Sequence, residues 1–161
     1  MSENRSVEIV AEPGQRTIVM KRVFDAPRRL VYEALTKPEH LKRWWGPREL
    51  TLVVCEIDLR VGGGYRFVQR APDGQQFAFR GVYRELRVPE RIVSTFVFEL
   101  MPEHEAVETT VLDEKQGKTT LTSTVLHDSV EARDAHYATM QSGVIDSYDR
   151  LAEVLASMAV S

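Results

Sequence analysis

"DAPRRLVYEALTKPEHLKRWWGP", residues 25–47, decides the fold, because it sets two short helices between a first strand and a long run of further strands. Asp25 is placed to cap the first helix, and Pro27 falls in its first turn, where the missing N–H costs nothing. Leu30, Val31, Ala34 and Leu35 lie on one face of it. Thr36 and Glu39 have the capping-box spacing for a second helix, Pro38 sits just inside its start, and Gly46-Pro47 ends it. Leu41, Trp44 and Trp45 share a face at i, i+3, i+4. The chain's only two tryptophans therefore stand side by side where the insert closes. Adjacent helical residues point about 100° apart, so one ring anchors the insert while the other faces the mouth of any space beside it. Trp44, one turn beyond Leu41, is expected to be the more buried.

Working outward, "RTIVMKRVF" (16–24) reads as the first strand. Residues 1–14, ending in the turn-rich "AEPGQ", read as a flexible arm or a short edge segment, leaving 15–158 as one domain. After the insert come six strand-like stretches joined by short turns: "ELTLVVCEIDL", "GYRFVQR", "QFAFRGVYREL", "RIVSTFVFEL", "AVETTVLDEK" and "KTTLTSTVLH". Short turns between sequential strands imply an antiparallel meander. "VGGG" (61–64) lacks the helix and lysine of a phosphate loop and reads as a sharp bend. From residue 128 the period changes. Asp128 or Ser129 offers a cap, and Tyr137, Met140, Val144, Tyr148, Leu151 and Leu155 form one stripe of a helix about 40 Å long. Gly143 interrupts it, a position that implies close approach or mere tolerance.

Composition narrows the function classes. In 161 residues, 43% hydrophobic and 28% charged, the chain has the balance of a globular domain. Its net charge of −3 comes from 21 basic and 24 acidic residues interleaved along the sequence. Without a concentrated basic face, nucleic acid is not an expected partner. The apolar runs are too short for membrane insertion, and the polar start has no secretory pattern, so a cytoplasmic location is expected. The single cysteine, Cys55, fits a reducing compartment.

The order strand, two helices, six antiparallel strands and one long C-terminal helix is that of the helix-grip fold: α+β, with a curved antiparallel sheet of about seven strands. "RVFDAPRRLVYEALTKPEHLKRWWGP", "DLRVGGGYRFV", "PDG", "GVYRELRVPERIVSTF", "TTLTSTVLH" and "SGVIDSYDRLAEVLAS" together resemble homologues of the activator of the 90-kDa heat-shock chaperone ATPase, of the C-terminal-domain type. That family lies in the SRPBCC superfamily, with START lipid-transfer domains, the birch pollen allergen, polyketide cyclases and coenzyme Q-binding proteins. The resemblance spans roughly residues 16 to 157. It implies that the long helix packs across the sheet over a cavity, where relatives with known ligands hold them. The eukaryotic co-chaperone adds a separate chaperone-binding domain for which this chain has no room, so a chaperone partner stays open and unsupported.

Alternation selects the residues facing such a cavity. Phe77, Phe79, Gly81 and Tyr83 form the aromatic set of their strand, against Ala78, Arg80, Val82 and Arg84. Tyr65 and Phe67 point in by the same rule, and Phe96 and Phe98 join them. On the last strand Leu121, Ser123, Val125 and His127 share a face, with His136 a possible neighbour. Trp44, Met140, Gly143 and Val144 complete the expected lining. A solid core of packed rings is the alternative. His40 and His104 read as surface. Glu56 and Asp58 share a strand face, as paired carboxylates could, but fit a solvent-facing edge equally well.

No nucleophile elbow or legible triad is present, no chelating spacing calls for a metal, and no cofactor is implied. The first reading is therefore a binding module for a small hydrophobic molecule. A cyclase- or aromatase-like enzyme using the same cavity is the second, and a co-chaperone-like interaction domain the third.

Overall fold

β-Branched and aromatic runs separated by tight turns build one antiparallel sheet in the computed structural model, which describes residues 6–160. The elements run β1 (Glu8–Val10), β2 (Thr17–Phe24), α1 (Arg28–Thr36), α2 (Pro38–Trp44), β3 (Thr51–Ile57), β4 (Gly64–Arg70), β5 (Gln76–Arg87), β6 (Arg91–Phe98), β7 (Glu105–Lys115), β8 (Lys118–Leu126) and α3 (Val130–Val160). The sheet has eight strands in the order β1-β2-β8-β7-β6-β5-β4-β3. The strand beyond the expected seven is β1, which pairs Glu8 with Lys21 and Val10 with Val19. Of the arm expected over residues 1–14, residues 1–5 lie outside the described residues.

The meander leaves β3 at one edge, while β2 sits beside the other, paired with β8 from Thr17↔Leu126 to Phe24↔Thr119. The helices α1 and α2 carry the chain between these distant strands, which is why an insert stands at that point in the sequence. Their caps differ from those expected. Neither Asp25 nor Thr36 makes a capping bond: Pro27 and Lys37 occupy the N-cap positions. The Arg28 amide donates instead to the Glu114 carboxylate on β7 at 3.0 Å, so a distant strand satisfies the start of α1. Thr36 turns its hydroxyl back onto the Tyr32 carbonyl at 2.8 Å. On α3 the expectation holds, with Ser129 Oγ accepting the Ala132 amide at 3.0 Å.

The long helix buries Met140, Tyr148, Leu151, Val154 and Leu155 against the sheet, and leaves Tyr137 and Val144 half-buried. Ile18, Val31 and Leu151 are fully enclosed at the junction of sheet, α1 and α3. Arg22 on β2 donates to Asp149 on α3 at 2.7 Å and fixes the helix over that end of the sheet. No helix among the described residues is long and apolar enough to cross a membrane.

Gly81 shows how the sheet accommodates its aromatic lining. It pairs with Tyr65 on β4, whose ring lies over it, and the Tyr65 hydroxyl reaches across to donate to the Thr95 carbonyl at 2.7 Å. A Cβ at Gly81 would overlap both that ring and the Thr95 carbonyl oxygen. Gly81→Ala should therefore cost about 1–3 kcal/mol as an overpacking change, read as a lower urea midpoint with an unchanged slope. A neutral result would mean that the Tyr65 ring moves freely off the glycine.

Candidate functional site

The two tryptophans divide their work. Trp44 is 5% exposed and donates its indole N–H to the Ala34 carbonyl at 2.8 Å, tying α2 to α1. Trp45, the residue that ends α2, is half-buried and swings to the inner side. Its ring meets Phe67 and Phe79 edge-on, at 5.0 and 5.1 Å between centroids. Trp44 was expected to be the more buried, and it is. The chain then turns away at Gly46, whose φ of 96° lies in the left-handed region and whose missing Cβ leaves room for the Gln69 side chain.

The segment after Trp45 is clamped along α3. The Gly46 amide donates to Ser147 Oγ at 2.7 Å, and Arg150 donates to the Gly46 and Pro47 carbonyls at 3.1 and 3.3 Å. Arg48 pairs with Glu153 at 2.6 Å. Gly143 belongs to the same seam: a Cβ there would lie 3.3 Å from Pro47 Cγ, so the mid-helix glycine marks a close approach.

Between sheet and helix lies a cavity of about 660 Å³. Phe79 on its wall stacks against both Phe96 and Phe98 of the neighbouring strand, with centroids 5.5 and 5.1 Å away. Tyr65 sits against Phe67 and Tyr83 at 5.0 and 5.6 Å. Of the residues expected to line such a space, Trp44, Tyr65, Phe67, Phe79, Tyr83, Phe96, Phe98, Leu121, His127, Met140, Gly143 and Val144 all border it. Ser123 does not. It is 1% exposed and lies behind Glu108, donating its hydroxyl to that carboxylate at 2.7 Å.

Glu108 is the residue that the sequence reading missed. It borders the cavity from β7, with Ala106 and Thr110 at period two on either side, facing Ser94 across the register with β6. The alternation of a buried Ala106 and Leu112 was the available signal. Trp45, Gln69 and Tyr148 also border the space.

Imidazoles also line the space. His127 Nε2 and His136 Nδ1 are 3.0 Å apart, and the His136 ring lies over Phe96 at 6.1 Å. The expected neighbourhood of His127 and His136 is thus realised. His104, expected at the surface, borders the cavity with its side chain partly exposed and has Nδ1 3.1 Å from Asp128. Glu56 and Asp58 are solvent-exposed. Among the described residues, no group of three or more His, Cys, Asp or Glu side chains is placed to hold a metal ion.

The sequence profile of the family described as "Activator of Hsp90 ATPase homolog 1-like protein" matches residues 25–156. The chain belongs to that family. No curated protein sequence matches it significantly. Among solved structures, one from Rhodobacter sphaeroides is 27% identical with a TM-score of 0.85, covering 93% of this chain and 99% of that one. A Nitrosomonas europaea protein shares the fold at 24% identity and a TM-score of 0.81, over 90% of this chain and 97% of its own. An AHSA1-like protein from Aeromonas hydrophila does so at 20% and 0.71, covering 90% and 95%.

In this family member Glu108, His127 and His136 are shifted toward neutrality. Burial raises the Glu108 carboxyl above its usual range, the Ser123 hydrogen bond opposing it only in part. Burial, then the neighbouring His127, holds His136 down at about 4. Burial also lowers His127, against the pull of the Asp128 carboxylate and with help from Arg133 and His104. With both imidazoles neutral, one ring donates and the other accepts across their 3.0 Å contact.

A depressed histidine pKa means that the unfolded chain takes up the proton first. Stability is lost as pH falls below the ordinary value of 6.5, and the loss runs on toward about 4. Glu108, shifted the other way, contributes the opposite slope, so the comparison must be made against a variant. Between pH 6.5 and 4.5, His136→Gln should lose less stability than wild type in urea titrations. Parallel profiles would show that His136 is not held neutral.

Proposed function

We propose that this member of the family is a binding module for a small, largely aromatic molecule held between the sheet and α3. The observation that carries this reading is the ring-lined space of about 660 Å³ under Trp45. Pockets for small organic ligands commonly measure about 300–1,000 Å³ and combine apolar walls with a few convergent polar groups. Here Phe67, Phe79, Phe96 and Phe98 supply the walls, while Glu108, Gln69 and the histidine pair supply the polar groups. Trp45 is the natural reporter, because its ring touches the wall while Trp44 is enclosed behind it.

A molecule that binds only the folded state stabilises it, by about 2.7 kcal/mol at a hundredfold excess over Kd. Titration with a panel of aromatic polyketides, flavonoids and fatty acids should change tryptophan emission and raise Tm for at least one class. Trp45→Phe should abolish the fluorescence change while leaving the Tm rise. A panel that moves neither quantity counts against the reading.

One observation favours a second reading, an enzyme of the cyclase type: the His127–His136 pair offers a neutral imidazole at the cavity. General base catalysis typically contributes about 10²- to 10⁴-fold. His127→Gln should change ligand affinity by about 1 kcal/mol and nothing else if the protein only binds. A product formed by wild type and lost in the variant would favour the enzyme.

A further inference from the structure

We propose that the cavity selects hydrophobic amines, an aromatic body carrying a cationic nitrogen, with Glu108 as the counter-ion. This rests on the reading of the cavity as a ligand site.

The lining carries two carboxylates, and its basic members are three histidines, His104, His127 and His136, the last two held toward their neutral forms by burial. Glu108 borders the inner wall and Glu49 the mouth, and no lysine or arginine borders the space among the described residues. The two most buried arginines are engaged elsewhere: Arg22 with Asp149, and Arg133 with Asp134 and the Thr17 carbonyl. No ion pair joins Glu108 to any cation among the described residues, and the hydrogen bond from Ser123 is neutral. An anionic headgroup beside Glu108 would meet a carboxylate, with no lysine or arginine to offset it and only the histidines of the lining to donate to it. A fatty acid or aromatic acid is therefore the poorest fit.

The rings point the same way. Aromatic faces carry negative electrostatic potential and attract cations, most strongly where water is excluded. Tyr65 and Tyr148 border the same space as Glu108; burial first, and the Glu108 charge second, raise their phenol pKa values. The Tyr65 hydroxyl is already committed to the Thr95 carbonyl. An ammonium beside Glu108 would complete an ion pair that no side chain among the described residues supplies. The raised carboxyl pKa of Glu108 is the other face of the same deficit.

The test uses three probes on one ring system, naphthylmethylamine, naphthylmethanol and naphthoate, measured by calorimetry and thermal shift on the full chain. Wild type should bind the amine roughly ten- to hundredfold more tightly than the alcohol, the value of one charge-assisted hydrogen bond. Naphthoate should bind most weakly. Glu108→Gln keeps shape and can still accept from Ser123, and should bring the amine down to the level of the alcohol while the alcohol is unaffected. The ranking on wild type decides the matter even if the variant is unstable. Equal affinity for amine and alcohol, or tightest binding of naphthoate, overturns the selection by charge and leaves the binding module standing. Failure of all three probes to bind overturns both.

Discussion

The hydrogen bond from the Trp44 indole to the Ala34 carbonyl is the contact on which the geometry of the cavity depends. A curved sheet cannot cover its own concave face, so the two helices that join its distant strands must stop at a defined place. By tying α2 to α1, Trp44 fixes where the chain leaves the helix. That exit point in turn places Trp45 over Phe67 and Phe79 and delivers Gly46 and Pro47 to α3. Adjacent tryptophans are thus a fastener and a roof, and neither could do the other's work from its own position.

The polar groups inside follow from strand alternation acting on an unusual sequence. On β7 the inward face runs Ala106, Glu108, Thr110 and Leu112, and the outward face takes the other side of the same strand. Period two leaves Glu108 no way to reach solvent on the far side of the sheet. Ser123, one strand over, is spent on this carboxylate instead of on the cavity. Two histidines held toward their neutral forms and a carboxyl without an ion-pair partner among the described residues are the ionisable groups that face an otherwise aromatic space here.

Much of this was legible in the sequence, for physical reasons that differ by residue. Six strands and the long helix follow from hydrophobic period, and the inward rings Tyr65 and Phe67 on β4 and Phe79 and Tyr83 on β5 follow from alternation within each strand. These are local regularities. What failed were inferences about partners distant in the chain. Asp25 and Thr36 have the right spacing to cap, yet Glu114, far along the sequence, takes the amide at the start of α1. Ser123 faces inward as expected but is covered, because what lies in front of it comes from β7. Glu108 went unnoticed among the exposed acids Glu105, Asp113 and Glu114 of its own strand, although its spacing from Ala106 and Leu112 held the answer. His104, read from its turn as surface, reaches the rim through the fold of the β6–β7 connection.

The seam between the 46–48 segment and α3 has different chemistry on its two sides, and this separates two properties usually treated as one. Inside, Trp45 and the phenylalanines contribute dispersion and burial, which salt scarcely alters. Outside, the Arg48–Glu153 pair is solvent-exposed, and such pairs weaken as ions screen them. For a molecule that leaves by parting this seam, the buried Gly46–Ser147 hydrogen bond, the part-buried Arg150 hydrogen bonds and the exposed Arg48–Glu153 pair must all part, and of these the exposed pair is the one that salt weakens. Added salt would then shorten the stay of a neutral occupant by speeding arrival and departure alike, with its occupancy unchanged.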